Sequence, residues 1–198
     1  MPAKDALVAV HGARRDEDIV ITTMSPARDW MTLPQHARDL VLVPSAMSHA
    51  TSIGLGLALS QPQRRVIICN GDGSMLMNLG SLVSIAAAGA TNVVVLVFEN
   101  GTYEVTGSQL VPGAGVVDFA AIARASGFQS VFEYADLAEW REDVCRVLEA
   151  AGPTFAVLHV EPVYGLPGPK SPGPAGERAR RFMEAVRVGS RLTATGIG

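Results

Sequence analysis

The sequence has little cysteine, with only Cys69 and Cys145 in 198 residues. Cys69 stands in an apolar segment and Cys145 in a helical one. Two such isolated thiols exclude a disulfide framework and a metal site built from clustered cysteines. We therefore expect both cysteines to be reduced and to lie in the core of a cytoplasmic protein.

The sequence also lacks a large excess of charge of one sign and a long hydrophobic run. Its formal net charge is −3 and it has no basic cluster, which gives no electrostatic basis for binding nucleic acid. It has no uninterrupted apolar segment of membrane-spanning length, and residues 1–18 lack the pattern of a signal peptide. These absences favour a cytoplasmic protein.

What is present is an apolar composition in which strand-like and helix-like segments alternate. Hydrophobic residues make up 48% of the chain, enough for one large domain with a good core. Short apolar runs predict buried parallel strands at 18–24, 40–43, 66–69, 92–98, 130–132 and 155–160. Helices are predicted at 6–14, 49–60, 78–89, 117–126, 136–151 and 175–188. This alternation predicts an α/β domain with a doubly wound, three-layer parallel sheet.

Proline and glycine concentrate between residues 162 and 176. Such a segment predicts an extended arm, because neither residue favours the interior of a helix. We therefore expect residues 1–163 to form the ligand-binding domain and residues 164–198 to form the arm and a last helix. An arm of this kind more often wraps a neighbour or the domain surface than carries chemistry.

The most informative segment runs from the sequence GDGS at residues 71–74 to Asn100. Asp72 follows the predicted strand 66–69, and Asn100 follows the predicted strand 92–98. Both side chains should lie just beyond the carboxyl ends of strands, where open α/β sheets bind ligands. Aspartate and asparagine are hard oxygen donors suited to a Mg²⁺ ion that holds a diphosphate, and glycine lets backbone amides approach phosphate oxygens. GDG alone is a common turn, so the placement of both ligands at strand ends is what favours the site.

This pattern, GDGS followed by Asn 28 residues after the Asp, resembles the diphosphate-binding motif of thiamine diphosphate enzymes. In that family the Asp and Asn side chains bind Mg²⁺ together with a backbone carbonyl two residues after the Asn. The resemblance implies that Asp72, Asn100 and the Thr102 carbonyl hold Mg²⁺. Glu99 stands where the family often has a second Asn, at a position that is not a ligand. The cofactor-binding residues that the resemblance implies are Ser45, Met47, Ser48, Gly71, Asp72, Gly73, Ser74, Asn100, Thr102, Tyr103, Glu104 and Val105.

The residues before the helix predicted at 49–60 resemble another family feature, a bulky apolar residue wedged under the cofactor to hold it in a V shape. By position this wedge is Met47, and the Ser45 carbonyl accepts a hydrogen bond from the cofactor's 4′-amino group. Met47 taken alone also fits an ordinary core methionine. Ser48 stands where the family has glycine. The resemblance implies catalytic roles for Met47 and for His49, although His49 could instead cap the helix.

Three longer stretches are similar to a narrower group, the cofactor-binding subunit of sulfopyruvate decarboxylase and the C-terminal part of phosphonopyruvate decarboxylase. They are SAMSHATSIGLGLAL, GDGSMLMNLGSLVSIA and ENGTYEVTGSQ. The resemblance implies decarboxylation of a small 2-oxo acid with thiamine diphosphate and Mg²⁺. Related enzymes take an activating glutamate from a pyrimidine-binding domain, for which this chain has no room. It therefore implies a hetero-oligomer in which a partner subunit supplies that glutamate.

Two other functions would use the same cofactor residues. One is a carboligase subunit resembling acetolactate synthase, which would form acetolactate from pyruvate where a decarboxylase would form an aldehyde. The other is a non-catalytic module that binds thiamine diphosphate without turnover. A 2-oxoacid:ferredoxin oxidoreductase is disfavoured, because this chain has no clustered cysteines for an iron–sulfur site.

Overall fold

The structure is a computed structural model that describes residues 1–43 and 46–187. Within these residues the central parallel sheet contains the strands β1 (Ile19–Thr23), β2 (Asp39–Leu42), β3 (Val66–Gly71), β4 (Val93–Glu99), β7 (Ser130–Tyr134) and β8 (Thr154–His159). Their order across the sheet is β2-β1-β3-β4-β8-β7. Two short strands, β5 (Thr102–Tyr103) and β6 (Gln109–Leu110), form a separate antiparallel pair.

The helices are α1 (Ala3–Ala13), α2 (Met24–Trp30), α3 (Ala50–Ser60), α4 (Asp72–Leu76), α5 (Gly80–Ala87), α6 (Phe119–Ala125), α7 (Leu137–Glu149) and α8 (Ala175–Arg187). Helices α1, α2 and α7 contribute to the core on one face of the sheet, and α3, α5, α6 and α8 contribute to the core on the other. This three-layer arrangement confirms the predicted α/β fold class. Across the two described ranges, no helix combines the length and apolarity that a membrane crossing would require.

The two faces of the sheet bury separate apolar clusters. Along β3, Ile67 and Cys69 belong to the cluster that contains Trp30 and Trp140. The alternate residue Ile68 belongs to the opposite cluster. Strands buried on both faces need apolar side chains at successive positions, which is why they were recognisable as continuous apolar runs.

A short helix that was not predicted, α4, begins at Asp72 and precedes the helix predicted at 78–89, which is α5 and begins at Gly80. The sequence pattern places Val83 on the apolar inner face of this helix, but its side chain is 55% exposed. The reason is a buried hydrogen bond of 2.7 Å between the hydroxyls of Thr51 and Ser81, which turns Ser81 toward α3. Ile85 is then buried against the sheet in place of Val83.

Two further elements were not predicted: α2, and the β5–β6 pair in a segment predicted as a loop. Helix α2 begins at Met24, where φ is 58°, and carries Pro26 in its first turn. A proline there removes no intrahelical hydrogen bond, so it starts a helix instead of breaking one. The expectation that both cysteines lie in the core is wrong for Cys145, which is exposed on α7 next to the buried Val144.

Helix α8 is attached to the open edge of the sheet and to the core below it. The Arg178 guanidinium donates hydrogen bonds to the carbonyls of Val41, at 2.7 Å, and Val43. Phe182 and Val186 are buried in the cluster on that face. The predicted helix end at residue 188 lies outside the described residues, and the division at residues 163 and 164 stays a prediction.

Candidate functional site

Asp72 and Asn100 lie in neighbouring loops at the carboxyl edge of the sheet, because β3 and β4 are adjacent and parallel. The Asp72 carboxylate accepts two backbone hydrogen bonds of 2.7 Å. Oδ1 accepts from the Gly73 amide, and Oδ2 accepts from the Gly101 amide. The second bond joins the loop after β3 to the loop after β4, so Asp72 fixes the relative position of the two loops.

The side chain of Asn100 folds back over its own loop. Its Oδ1 accepts hydrogen bonds from the Thr102 amide at 2.9 Å and from the Thr102 hydroxyl at 3.2 Å. Its Nδ2 donates to Glu104 Oε2 at 2.7 Å. Gly101 makes this turn possible with a φ of 70°, a left-handed conformation that a side chain would strain.

The buried charge of Asp72 is suited to a cation. The residue is 3% exposed, and this burial raises the pKa of its carboxyl, which the hydrogen bonds from Gly101 and Gly73 offset only in part. A nearby cation would stabilise the ionised form. Each carboxylate oxygen keeps a further lone pair, and the Asn100 amide oxygen offers one to a cation that replaces the 3.2 Å hydrogen bond from the Thr102 hydroxyl. These are the hard donors that Mg²⁺ prefers, so the residues fit this ion.

An open cavity lies over these loops. It brings together ten of the residues predicted to bind the cofactor: Met47, Gly71, Asp72, Gly73, Ser74, Asn100, Thr102, Tyr103, Glu104 and Val105. Ser48 and His49 do not line this cavity. Ser45 lies outside the described residues.

Ser48 connects the loop before α3 to α4. Its amide donates to Ser74 Oγ at 3.0 Å, and its carbonyl accepts from Asn78 Nδ2 at 2.9 Å. The φ of Ser48 is 72°, in the region that favours glycine. The turn that glycine makes in similar enzymes is therefore made here by serine.

His49 is exposed, and its ring points back along the chain. Its Nδ1 lies 2.8 Å from the Met47 carbonyl oxygen and 3.0 Å from Ser48 Oγ. It precedes α3 without a side-chain hydrogen bond to the first turn, so the helix-capping alternative is wrong.

Sequence reasoning missed six residues of the cavity, and three of them, Met24, Ser25 and Pro26, follow β1. They lie there because β1 pairs directly with β3, so that its carboxyl end opens beside Gly71. The strand prediction already ended at Met24. To predict that Met24 lies next to the GDGS loop, the order of the strands has to be known, and the sequence pattern alone does not supply it.

Two contacts define the borders of the site. A β-carbon on Gly73 would overlap the ring of Tyr103, so the glycine lets the two loops pack closely. On the other side, Glu99 Oε2 lies 3.1 Å from His159 Nδ1. Burial raises the pKa of Glu99, and His159 opposes that rise. Glu99 is therefore engaged with β8 and lies outside the lining of the cavity.

Comparison with protein families identifies the same part of the chain. Residues 21–160 match the C-terminal TPP-binding domain of thiamine pyrophosphate enzymes. This range runs from β1 to the residue after β8 and includes both metal-binding candidates, Asp72 and Asn100.

Individual proteins give the same result. The sulfopyruvate decarboxylase beta subunit of Methanothermobacter thermautotrophicus is 38% identical over 158 residues, which cover 80% of this chain and 81% of that subunit. The phosphonopyruvate decarboxylase of Streptomyces viridochromogenes is 38% identical over 183 residues, or 91% of this chain, and the match spans 45% of that enzyme. A solved structure of an enzyme from Mycobacterium smegmatis, described as thiamin diphosphate-dependent, superimposes with a TM-score of 0.70. It is 23% identical, and the superposition covers 82% of this chain and 32% of that one.

Proposed function

This chain belongs to the thiamine pyrophosphate enzymes through their C-terminal TPP-binding domain, and on that premise we propose that it is the cofactor-binding subunit of a two-subunit 2-oxo acid decarboxylase. It would act with thiamine diphosphate and Mg²⁺ in the cytoplasm. The proposed substrate is a small 2-oxo acid that resembles sulfopyruvate or phosphonopyruvate. The decarboxylases that match at 38% identity support this substrate class.

The observation that carries the proposal is the hydrogen bond from the Gly101 amide to Asp72 Oδ2. It brings together two candidate metal ligands, Asp72 and Asn100, that are 28 residues apart in the sequence. Both border a cavity whose wall includes Met47, the candidate wedge. A pair of unrelated turns would have no reason to bury a carboxylate at this edge of the sheet.

Each part of the site has a proposed task. Asp72, Asn100 and the Thr102 carbonyl would hold Mg²⁺, and the amides of residues 73–74 and 101–105 would hold the diphosphate. Met47 would keep the cofactor bent. When bound, thiamine diphosphate supplies the nucleophilic carbon and the electron sink for decarboxylation. The Ser45 carbonyl and His49 remain candidates for contacts with the aminopyrimidine and the substrate.

The partner subunit would carry the glutamate that activates the cofactor, and the outer surface of α3 and α5 supports its existence. Leu59, Met77 and Val83 are each more than half exposed on this side. Neither helix contains a charged residue, as their sequences ATSIGLGLALS and GSLVSIAA show. An uncharged, apolar surface next to a catalytic cavity is suited to a protein–protein interface.

The test is Asp72→Ala in the assembled enzyme, purified together with its natural partner. We expect the variant to lose Mg²⁺ and thiamine diphosphate binding, measured by calorimetry, and to release no CO₂ from sulfopyruvate or phosphonopyruvate. The product formed from pyruvate by the unaltered enzyme separates a decarboxylase from a carboligase.

Glu99→Gln is the matched control, since it changes a neighbouring carboxylate that pairs with His159 outside the cavity. It should keep both bound ligands. Metal and cofactor binding retained by Asp72→Ala would contradict the proposal. Cofactor binding by the unaltered complex without any turnover would instead indicate a non-catalytic module.

A further inference from the structure

The carboxylate of Glu104 is buried between the Asn100 amide, which donates a hydrogen bond, and the Arg28 guanidinium, which forms an ion pair with it. Oε2 accepts from Asn100 Nδ2 at 2.7 Å. Oε1 lies 2.8 Å from Nη2 of Arg28, which is on α2. Glu104 is 5% exposed, so both of its oxygens depend on these neighbours.

Arg28 is held in place by a second carboxylate. Its Nε donates to Asp29 Oδ1 at 2.9 Å. Burial alone lowers the pKa of Arg28, but the hydrogen bonds and charges of Asp29 and Glu104 outweigh that effect and raise it. Arg28 therefore stays cationic, and its guanidinium faces the Glu104 carboxylate.

This arrangement allows only one orientation of the Asn100 amide. In the observed orientation, Nδ2 meets the Glu104 carboxylate and Oδ1 meets the Thr102 amide. A flipped amide would bring its oxygen against the carboxylate and its NH₂ group against a backbone N–H. The first contact would then join two acceptors and the second would join two donors. Glu104 therefore determines which end of the amide is available to a metal.

We propose that Glu104, anchored by Arg28, is a positioning residue that presents Asn100 Oδ1 to the Mg²⁺ ion before the ion binds. This inference rests on the proposed function, since it concerns the same metal site. A buried ion pair contributes little net stability compared with apolar side chains of similar size. The main effect of the pair should therefore be on ligand geometry and metal affinity.

A carboxylate is needed at position 104 because two donors converge on it, one at each oxygen. Glutamine has the same shape but only one acceptor oxygen. In Glu104→Gln, either Asn100 or Arg28 would face an NH₂ group. Partners of metal ligands typically change metal affinity by about 10- to 100-fold when they are replaced.

The first experiment measures Mg²⁺ affinity by calorimetry, with thiamine diphosphate present, in the complex of this chain and its partner. We expect E104Q to weaken Mg²⁺ binding by about tenfold or more. Thr106→Ala is the matched control, because Thr106 is exposed on the same 3₁₀ turn and its hydroxyl bonds only to the Tyr103 carbonyl, at 3.3 Å. It should bind Mg²⁺ like the unaltered complex.

A double-variant cycle separates positioning from a general effect on folding. Asn100→Asp places an acceptor against the Glu104 carboxylate, and adding E104Q restores a donor–acceptor pair, since glutamine can donate to the new carboxylate while accepting from Arg28. We expect E104Q to weaken Mg²⁺ binding beside Asn100 but to leave it unchanged or strengthen it in the N100D background. A purely structural role would make E104Q harmful in both backgrounds.

The outcomes distinguish this inference from the proposed function. Unaltered Mg²⁺ affinity in E104Q, or equal loss in both backgrounds, overturns the positioning role while the metal site stands. Failure of the unaltered complex to bind Mg²⁺ overturns both. The reversed effect of E104Q in the N100D background supports both.

Discussion

Helix α7 and the helices α3 and α5 lie on opposite faces of the sheet and bury similar cores, but their outer surfaces differ. Helix α7 carries six charged residues in 13 positions: Glu139, Arg141, Glu142, Asp143, Arg146 and Glu149. Helices α3 and α5, on the opposite layer, carry none in 11 and 8 positions. A charged outer face is typical of a helix that faces water, whereas an apolar helix on all sides is typical of a buried one.

The difference supports the proposed partner, which would cover α3 and α5. These helices lie near the candidate cavity, because the loop with Met47 leads into α3 and α4, which begins at Asp72, precedes α5. A partner that covers α3 and α5 would therefore also reach the cavity. This is where the proposed activating glutamate has to enter.

The largest predicted effect comes from a charge placed on the uncharged surface of α3 and α5. Val83→Glu adds a carboxylate to α5 at a side chain that is 55% exposed. Burying an unpaired charge at an interface should weaken partner binding by about 3 kcal/mol or more, which is over about a hundredfold in Kd. Co-purification of the partner with the tagged variant, followed by titration, measures the loss.

Val8→Glu is the control, because Val8 is 43% exposed on α1 in the opposite layer. It should bind the partner as tightly as the unaltered chain. Equal effects of V83E and V8E would show that the contrast between the two layers has no bearing on assembly.

The second prediction compares the inner and outer faces of α3 itself. A β-carbon on Gly54 would overlap Ile68 Cδ1 and lie 2.8 Å from Ile68 Cγ1, whereas one on Gly56 would meet nothing within 4 Å. Overpacking should make Gly54→Ala destabilising by about 1–3 kcal/mol. Gly56→Ala should stabilise the isolated chain by up to about 1 kcal/mol through helix propensity. Urea unfolding of both variants measures the difference, and similar stabilities would mean that α3 does not pack closely on β3.

The third prediction concerns Met47, which lies three residues before α3. If it bends the cofactor, Met47→Ala should lower turnover by about tenfold, which is about 1.4 kcal/mol of transition-state stabilisation. The affinity for thiamine diphosphate should change less, because the diphosphate anchor is intact. Met183→Ala, on the exposed side of α8, serves as the control. A loss of affinity with turnover unchanged at saturating cofactor would assign Met47 to binding alone.

The fold could be predicted because the four inner strands of the main sheet, β1, β3, β4 and β8, are apolar runs buried on both faces. The pairing of Asp72 with Asn100 followed from the same runs, since each side chain stands directly after a strand. The two side chains are 28 residues apart in the sequence, and they lie close together because β3 and β4 are neighbours in the sheet.

Features that depend on three-dimensional neighbours could not be predicted in this way. Met24 lies at the cavity because β1 is next to β3, a fact of strand order. The rotation of α5 depends on the buried bond between Thr51 and Ser81. The contact of Glu104 with Arg28 joins residues 76 positions apart, for which no local pattern gives a signal.

The smallest predicted effect is at Ser48, which lies two residues before α3 and has a left-handed φ of 72°. This conformation costs a residue with a side chain about 1–2 kcal/mol, and Ser48→Gly removes the cost. Glycine also makes the unfolded chain more flexible, which offsets about 0.4–1 kcal/mol. Ser48→Gly should therefore be more stable than the unaltered chain by roughly 1 kcal/mol. Its affinity for the cofactor should be unchanged, because the bond to Ser74 Oγ is donated by the backbone amide.

Ser48→Ala isolates the backbone effect, since alanine keeps the strain and loses only the hydroxyl, which lies 3.0 Å from His49 Nδ1. We expect Ser48→Gly to unfold at a higher urea concentration than Ser48→Ala. The opposite order would mean that the contact between the Ser48 hydroxyl and His49 stabilises the turn by more than glycine gains from relieving the backbone strain. His49 would then be a structural part of the loop before α3, and its candidate catalytic role would lose its support.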